Sequence, residues 1–395
     1  MADYSLLLSA QAGNDYQADI TDVAQRWERS IRLQGGYWQG TFRIEERIET
    51  LQEWFYNRLG WQVQERSSGG ITWEGLIYEL DLTVNGVTRR RGLDTLANEL
   101  VWDHGASWQW ETLRNEESIR RYGTKQNYLG RRGAWLAPPI NELAQSAWPW
   151  PRTIGIAPAE KQNWLDVTVC GYAFTLNWLY AYANWWNAGL YWTVGEWVAD
   201  ELARHHGTFV TVGQVQANPL PIQKYQLDKV RVWDLLQELA GMGDAAGKPW
   251  RLWVGPGRLA HYGPVDLTVR GYLLGGQVYT SVGGIANLAP RTIQPGVIRD
   301  TEYPRERSEP GSVLADARDI LVEEVQVDAD GRLNLRTTYT TDMDILAAAA
   351  ARRSEDDERL RALWARAWDE DYEKRRKRWE ERYPGVPFDP TKDQH

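Results

Sequence analysis

Alternation of apolar and polar residues around glycine-containing turns constrains the fold of this chain most strongly. Residues 27–44 alternate on both sides of Gly35-Gly36, and residues 71–84 alternate up to Asn85-Gly86. Asn-Gly is a strong hairpin signal because both central residues of a type I′ turn need positive φ. A third hairpin is predicted over 320–340, around Asp328–Gly331. These runs predict a mainly antiparallel β protein with flanking helices, an α+β fold.

Helical periodicity replaces the alternation in three segments, residues 48–59, 193–207 and 228–241. The second begins with Thr193-Val194-Gly195-Glu196, a capping box in which the Thr oxygen and the Glu carboxylate each accept from an unpaired helix amide. Asp228 is the predicted N-cap of the third. Residues 164–172 and 174–182 are predicted strands. The apolar face of the second helix is expected to bury Trp197, Val198, Leu202 and Ala203.

The length of 395 residues corresponds to two or three domains, and proline punctuation suggests where they divide. From Thr341 to Arg382 there is no Gly or Pro, which predicts a long helix. The predicted division is an N-terminal arm (1–25), a first β domain (26–135), a Pro-rich linker (136–163), a second β domain with two helices (164–340), and a C-terminal helix and tail (341–395).

Tryptophan and tyrosine are in surplus, with 23 Trp and 19 Tyr against 5 Phe and 3 Met. Both have an apolar body and a polar tip, which suits protein interfaces and sugar-stacking platforms. Biased amino-acid usage in the source lineage would give the same surplus. The candidate subunit or receptor interface consists of Trp185, Trp186, Tyr191 and Trp192, together with the helical stripe Trp364, Trp368, Tyr372 and Trp379. The stripe is expected to dock on another protein; the alternative is that this helix folds back along its own second domain.

Several classes of chemistry find no support in the sequence. With one cysteine, Cys170, neither an intrachain disulfide nor a cysteine-based zinc site can form. The five histidines form no HExxH motif, and neither a P-loop nor a GxSxG elbow occurs. No apolar run reaches the 18 residues of a membrane span. The sequence therefore predicts no catalytic residue, no cofactor and no metal.

A specific arrangement spans residues 193–262. A helix ending in DELARHHG leads to the strand FVTVGQVQ, then to a helix with WDLLQELAGMG, and then to RLWVGPGRLAHYG, whose return strand carries Gly257-Arg258-Leu259. This arrangement resembles the tail-hub and baseplate-hub proteins of tailed phages and contractile injection machines. The segment from Trp73-Glu74-Gly75-Leu76-Ile77 to Arg89–Asn98 is similar to the opening of such hubs. The loop Gly243–Pro249 is longer than in that family.

The resemblance implies two tail-tube-like β-barrel domains in each chain, plus the long C-terminal helix outside the shared core. Three chains would form a homotrimeric ring of six pseudo-equivalent units, which adapts a hexameric tube to a threefold tip. Expected partners are other tail proteins (tube, distal tail, fibre or tape measure). DNA is expected only in transit, since a net charge of −9 disfavours holding it. The expected location is the virion tail tip, after assembly in the host cytoplasm. A receptor- or glycan-binding tail-tip protein and a carbohydrate-active enzyme remain alternatives.

Overall fold

The computed structural model is mostly β, as the alternation predicts. It describes residues 4–10, 18–67, 70–94, 96–103, 110–131, 152–156, 163–181, 191–204, 209–223, 230–268, 271–274, 277–282, 285–287, 293–300, 318–339 and 376–377. The strands of its first part are β1 (Ser5–Ser9), β2 (Ala18–Asp19), β3 (Gln25–Arg32), β4 (Gly35–Ile44), β5 (Gln62–Ser67), β6 (Gly70–Val84), β7 (Val87–Gly92), β8 (Glu99–Asp103), β9 (Trp110–Arg114), β10 (Gln126–Arg131), β11 (Arg152–Ile156) and β12 (Trp164–Gly171).

The remaining strands and the helices complete the described elements. The strands are β13 (Tyr191–Thr193), β14 (Thr211–Val215), β15 (Pro221–Gln223), β16 (Trp250–Gly255), β17 (Leu259–Pro264), β18 (Gly271–Leu274), β19 (Gln277–Val282), β20 (Ile285–Asn287), β21 (Gly296–Asp300), β22 (Arg318–Val327) and β23 (Leu333–Tyr339). The helices are α1 (Ile48–Asn57), α2 (Glu116–Tyr122), α3 (Val194–Arg204) and α4 (Val232–Gly241), with 3₁₀ helices at Tyr172–Trp178 and Pro256–Arg258.

A curled antiparallel sheet forms the first unit. β5, β6, β12, β4, β3 and β22 lie side by side in this order, with β1 beyond β5. β7 pairs with the second half of β6. The rings of Trp27 and Trp73, on β3 and β6, meet edge to face across the inside of the curl, with centroids 5.3 Å apart. α1 packs against this core through Trp54, whose ring lies 6.2 Å from that of Phe42.

A second, smaller unit continues from the start of β4. β16 pairs in parallel with β4, β17 pairs with β16, and β14 lies parallel to β17. α3 packs against β14, and α4 packs against β16. One contiguous set of buried apolar residues runs from Leu6 in β1 to Tyr262 in β17, so the two units share a hydrophobic core. Among the described residues, no helix has the length and apolarity that crossing a membrane requires.

The hairpin predictions are confirmed, with one displaced turn. Asn85 and Gly86 both have positive φ, and Val84 pairs with Val87. The turn between β3 and β4 lies before Gly35-Gly36, which instead begins β4. A Cβ on Gly36 would lie 2.4 Å from the carbonyl oxygen of Val254. The glycine pair thus allows β16 to approach β4 closely.

Two local predictions are wrong. The predicted strand 174–182 contains most of a 3₁₀ helix, because Thr175 Oγ1 donates to the carbonyl of Tyr172 at 2.6 Å and the segment buries side chains on several sides. In α3 the side chain of Ala203 is exposed and that of Glu201 is buried, so the apolar face is narrower than predicted. α4 begins after Arg231, and the predicted N-cap Asp228 lies outside the described residues.

The predicted fold class is confirmed at the level of a mainly β protein with flanking helices. Two separate barrels and the predicted domain boundaries stay predictions. Strand pairing crosses the boundary drawn at residue 164, since β12 lies between β4 and β6. Apart from Arg376 and Lys377, which are helical, the C-terminal segment 341–395 lies outside the described residues.

Candidate functional site

The predicted interface aromatics fall largely outside what the structure describes. Tyr191 and Trp192 lie in β13, which pairs with β15. The structure describes their backbone but not their side chains. The remaining six residues lie outside the described residues, and the interface stays a prediction: Trp185, Trp186, Trp364, Trp368, Tyr372 and Trp379.

The structure instead shows a junction between the segment around Trp73-Glu74-Gly75 and the turn at Gly257-Arg258. The 3₁₀ turn Pro256–Arg258, between β16 and β17, reaches the buried side chain of Glu74 on β6. Glu74 Oε1 accepts the backbone N–H of Arg258 at 2.7 Å, and Oε2 accepts from Gln64 Nε2 at 3.2 Å. The Arg258 guanidinium lies 5.7 Å from the centroid of the Tyr172 ring. We call this set of contacts the Glu74 junction.

The turn at the Glu74 junction has an unusual backbone that its contacts stabilise. Gly257 and Arg258 have φ values of 75° and 64°, in the left-handed region. That conformation costs a residue other than glycine about 1–3 kcal/mol. The hydrogen bond from the Arg258 amide to Glu74 offsets part of this cost. The sequence pair Gly257-Arg258 indicates a turn at this position. That the turn contacts Glu74 on β6 follows only from the tertiary fold.

Burial raises the pKa of Glu74, while hydrogen bonds from the Arg258 amide and Gln64 oppose the rise. A carboxyl with a raised folded-state pKa binds its proton more tightly in the folded than in the unfolded chain. Its contribution to stability therefore decreases as pH rises through that pKa.

Replacing Glu74 separates the cost of its buried charge from the benefit of its hydrogen bonds. We expect Glu74→Gln to stay close to the wild-type free energy of unfolding at pH 7, because its amide oxygen still accepts from Arg258 and no charge is buried, which offsets the lost hydrogen bond from Gln64. Glu74→Leu should lose about 1–3 kcal/mol, since it leaves buried donors unsatisfied. Urea unfolding of both variants tests this; equal losses in the two would contradict it.

An aromatic cluster joins the curled sheet to the helices beside the junction. The ring of Trp38 on β4 lies 5.4 Å from Trp233 on α4 and 5.7 Å from Phe174 in the 3₁₀ helix. Tyr78 on β6 contacts Phe174 at 5.4 Å and stacks on Trp178 at 6.3 Å. Part of the aromatic surplus thus binds the two units of one chain together. The aromatic surplus alone predicts interfaces or sugar-stacking platforms; the position of Trp233 in the helical period of α4 is the sequence signal that could have placed it in the core.

The long loop Gly243–Pro249 is organised by one carboxylate. Asp244 Oδ1 accepts the amides of Ala246 and Lys248 at 2.9 and 3.0 Å, and Oδ2 accepts from Trp250 Nε1 at 3.1 Å. Burial raises the pKa of Asp244, but these hydrogen bonds outweigh it and hold the pKa below its ordinary value. The extra loop length is therefore fixed by internal contacts.

His261 holds the edge strand β14 against β17. Its Nδ1 accepts the backbone N–H of Gln214 at 3.1 Å, and its ring stacks on Trp253 at 5.2 Å. Burial, followed by the charge of Arg251, lowers the pKa of His261. An imidazolium could not accept from Gln214. The hydrogen bond therefore requires the neutral ring.

We expect this histidine to make stability depend on pH. Because its folded-state pKa lies below the unfolded value of 6.5, its contribution is complete above that value and is lost as pH falls through the folded-state pKa. His261→Phe keeps the stacking but removes the acceptor. Urea unfolding at pH 7.5 and 5.5 should show a smaller pH-dependent loss in this variant than in wild type. The same loss in both proteins would show that His261 does not titrate in this way.

The perturbed groups in the described part of the chain serve structural contacts. Burial lowers the pKa of Lys125 to about 8; its Nζ donates to the carbonyls of Leu93 and Asp94. Burial raises the pKa of the Cys170 thiol. No group of three or more His, Cys, Asp or Glu side chains is placed to hold a metal among the described residues.

Comparisons with known proteins find similarity to solved structures, but none to a family model or a curated sequence. A tail protein from Neisseria meningitidis MC58 is 11% identical, with a TM-score of 0.42 and coverage of 88% of this chain and 98% of its own. The 43 kDa tail protein of prophage MuSo2 from Shewanella oneidensis is 9% identical, with a TM-score of 0.43 and coverage of 87% and 98%. Neither description specifies a hub or a baseplate.

Proposed function

We propose that this protein is a structural component of a phage tail, and that it acts as a hub of the tail tip or baseplate. The Glu74 junction carries this proposal. In the sequence, the segments around Trp73-Glu74-Gly75 and Gly257-Arg258-Leu259 each resemble tail hubs. In the structure they meet through a hydrogen bond of 2.7 Å between Glu74 and the Arg258 amide.

Two β units that share one hydrophobic core support the hub proposal. β16 adds to β4 at Gly35-Gly36, and the aromatic cluster packs α4 against the same strand. In the hubs that the sequence resembles, two tube-like units per chain let three chains match the six subunits of a tail tube. The proposed assembly is therefore a homotrimeric ring that adapts or closes the tube.

The proposed surroundings follow from this role. The ring would contact tube, distal tail, fibre or tape-measure proteins in the virion, after assembly in the host cytoplasm. DNA would pass through without being held, as the net charge of −9 favours. The predicted helix over 342–382, with Trp364 and Trp368, would dock on a neighbouring subunit or tail protein.

The ring can be tested by mass photometry of the full-length protein, alone and with its tail-tube protein. We expect a species three times the 45.5 kDa of one chain. Trp364→Ala with Trp368→Ala should weaken this species and leave the β signal in circular dichroism unchanged, because each buried aromatic contributes about 1.5–3 kcal/mol. A monomer under both conditions would contradict the ring. Unfolding of the β units in the double variant, with assembly intact, would contradict the docking helix.

A further inference from the structure

A polar groove lies on the face of β3 and β4 that is opposite Trp27, beside the tip of the β22–β23 hairpin. It is open to solvent and has a volume of about 540 Å³. The hairpin pairs with β3 as far as Val327 and Arg29, so the first residues of β3 extend past it. Its turn is closed by a hydrogen bond from the Arg332 amide to Asp328 Oδ1 at 2.7 Å. Two ordered hairpins therefore form the walls.

Neutral hydrogen-bonding groups line much of the groove. Gln39 and Thr41 come from β4, and Ser30 comes from β3. Gln326 and Asn334 face them from the second hairpin, where Asn334 Nδ2 donates to Gln326 Oε1 at 3.3 Å. Amides and hydroxyls offer donors and acceptors side by side. They match a ligand whose own groups both donate and accept.

The charges and apolar groups in the groove narrow the class of ligand. The groove is lined by two carboxylates, Glu28 and Asp328, and by the guanidinium of Arg332. Arg29 also lines it, but its charge is paired with Glu65 in the core. Without a surplus of positive charge, the groove does not suit a phosphate or another polyanion. Leu333, which is partly exposed, adds apolar surface at the edge of the groove, whereas Val327 is buried. A surface of this mixed kind fits a molecule with C–H faces and hydroxyl edges.

We infer that this groove binds a short neutral saccharide. Its volume lies within the range of about 300–1,000 Å³ that is typical of small-molecule sites. Sugar hydroxyls would pair with the amides of Gln39 and Asn334, and the C–H faces would lie on Leu333. This binding goes beyond the proposed structural role, since neither ring formation nor docking to the tube requires it.

The test uses the full-length protein and glucose, galactose and N-acetylglucosamine as probes, with inorganic phosphate for comparison. Binding is measured by saturation-transfer difference NMR and by calorimetry. Gln39→Ala with Asn334→Ala removes two exposed groove amides. Asn127→Ala, an exposed amide on β10 outside the groove, is the matched control. Unchanged circular dichroism and urea unfolding confirm that the variants fold.

We expect at least one of these sugars to bind with millimolar affinity to wild type and to the Asn127 variant. The double variant should bind it at least about tenfold more weakly, a difference of about 1.4 kcal/mol. Absence of binding by all three sugars, equal affinity in the double variant, or binding of phosphate in preference to the sugars would overturn the inference. The oligomeric state is independent of these outcomes, so failure here would leave the proposed ring unaffected.

Discussion

Arg29→Met should destabilise the protein more than any other single change considered, by about 3–5 kcal/mol. Arg29 on β3 and Glu65 on β5 form an ion pair inside the curled sheet, and both side chains are fully buried. Removing the guanidinium leaves a carboxylate in a low-dielectric core. A buried charge without its partner carries a large desolvation cost.

The double variant Arg29→Met with Glu65→Leu should recover most of this loss, because well-packed apolar residues often replace a buried ion pair with little cost. Arg336→Met is the control: Arg336 is 61% exposed and lies 3.6 Å from Glu324. Glu324 is buried but keeps its ion pair with Arg32, so loss of the exposed Arg336 guanidinium should cost about 1 kcal/mol or less. Urea unfolding of wild type, Arg29→Met, Glu65→Leu and the double variant gives the double-mutant cycle. A double variant as unstable as Arg29→Met would show that the pair is needed for more than mutual neutralisation.

The sequence could predict local structure where the signal is local. Asn85-Gly86 and the turn at Asp328–Gly331 lie where predicted, because a two-residue or Asx-closed turn depends on the residues within it. The capping box is also present, with Glu196 N–H donating to Thr193 Oγ1 at 3.3 Å. The turns and the capping box join residues close in sequence, so they can be predicted without the tertiary fold.

The sequence could not predict contacts between distant segments. β12 pairs with β4 and β6, whose paired residues lie more than 80 positions earlier in the chain. The alternation within β12 does not indicate which strands it pairs with. Arg29 and Glu65 are charged strand residues, and charged side chains are almost always exposed to solvent. Their burial follows from the curl of the sheet, which is a property of several strands together.

The candidate site shows the same division. Both segments of the Glu74 junction were noted from sequence as separate motifs, yet the contact between Glu74 and Arg258 depends on the tertiary fold. The aromatic surplus predicts interfaces with other molecules, whereas Trp38 and Trp233 pack between the two units of this chain. Composition gives the number of aromatic side chains, but the strand order of the fold determines which of them are buried.

Gly171→Ala should also have a large effect, by steric exclusion alone. Gly171 has φ of −65°, a value open to any residue, so its replacement creates no backbone strain. A Cβ there would lie 1.8 Å from the carbonyl oxygen of Tyr37 on β4, and this backbone cannot move without displacing the strand. Gly75, its partner on β6, is equally crowded: a Cβ there would lie 2.2 Å from the carbonyl oxygen of Cys170. These two glycines let β4, β12 and β6 pass close together where the sheet curls.

Overpacking a core costs about 1–3 kcal/mol, and more where the neighbour is rigid; we therefore expect Gly171→Ala to lose about 3 kcal/mol in urea unfolding. Gly255→Ala is the matched control, because Gly255 has φ of −103° and its added Cβ would meet nothing closer than 3.6 Å. That variant should equal wild type or gain about 0.4–1 kcal/mol from a less flexible unfolded chain. Similar stability in the two variants would mean that β12 can shift away from β4 at little cost. The close strand crossing at Gly171 would then not be what fixes the curl of the sheet.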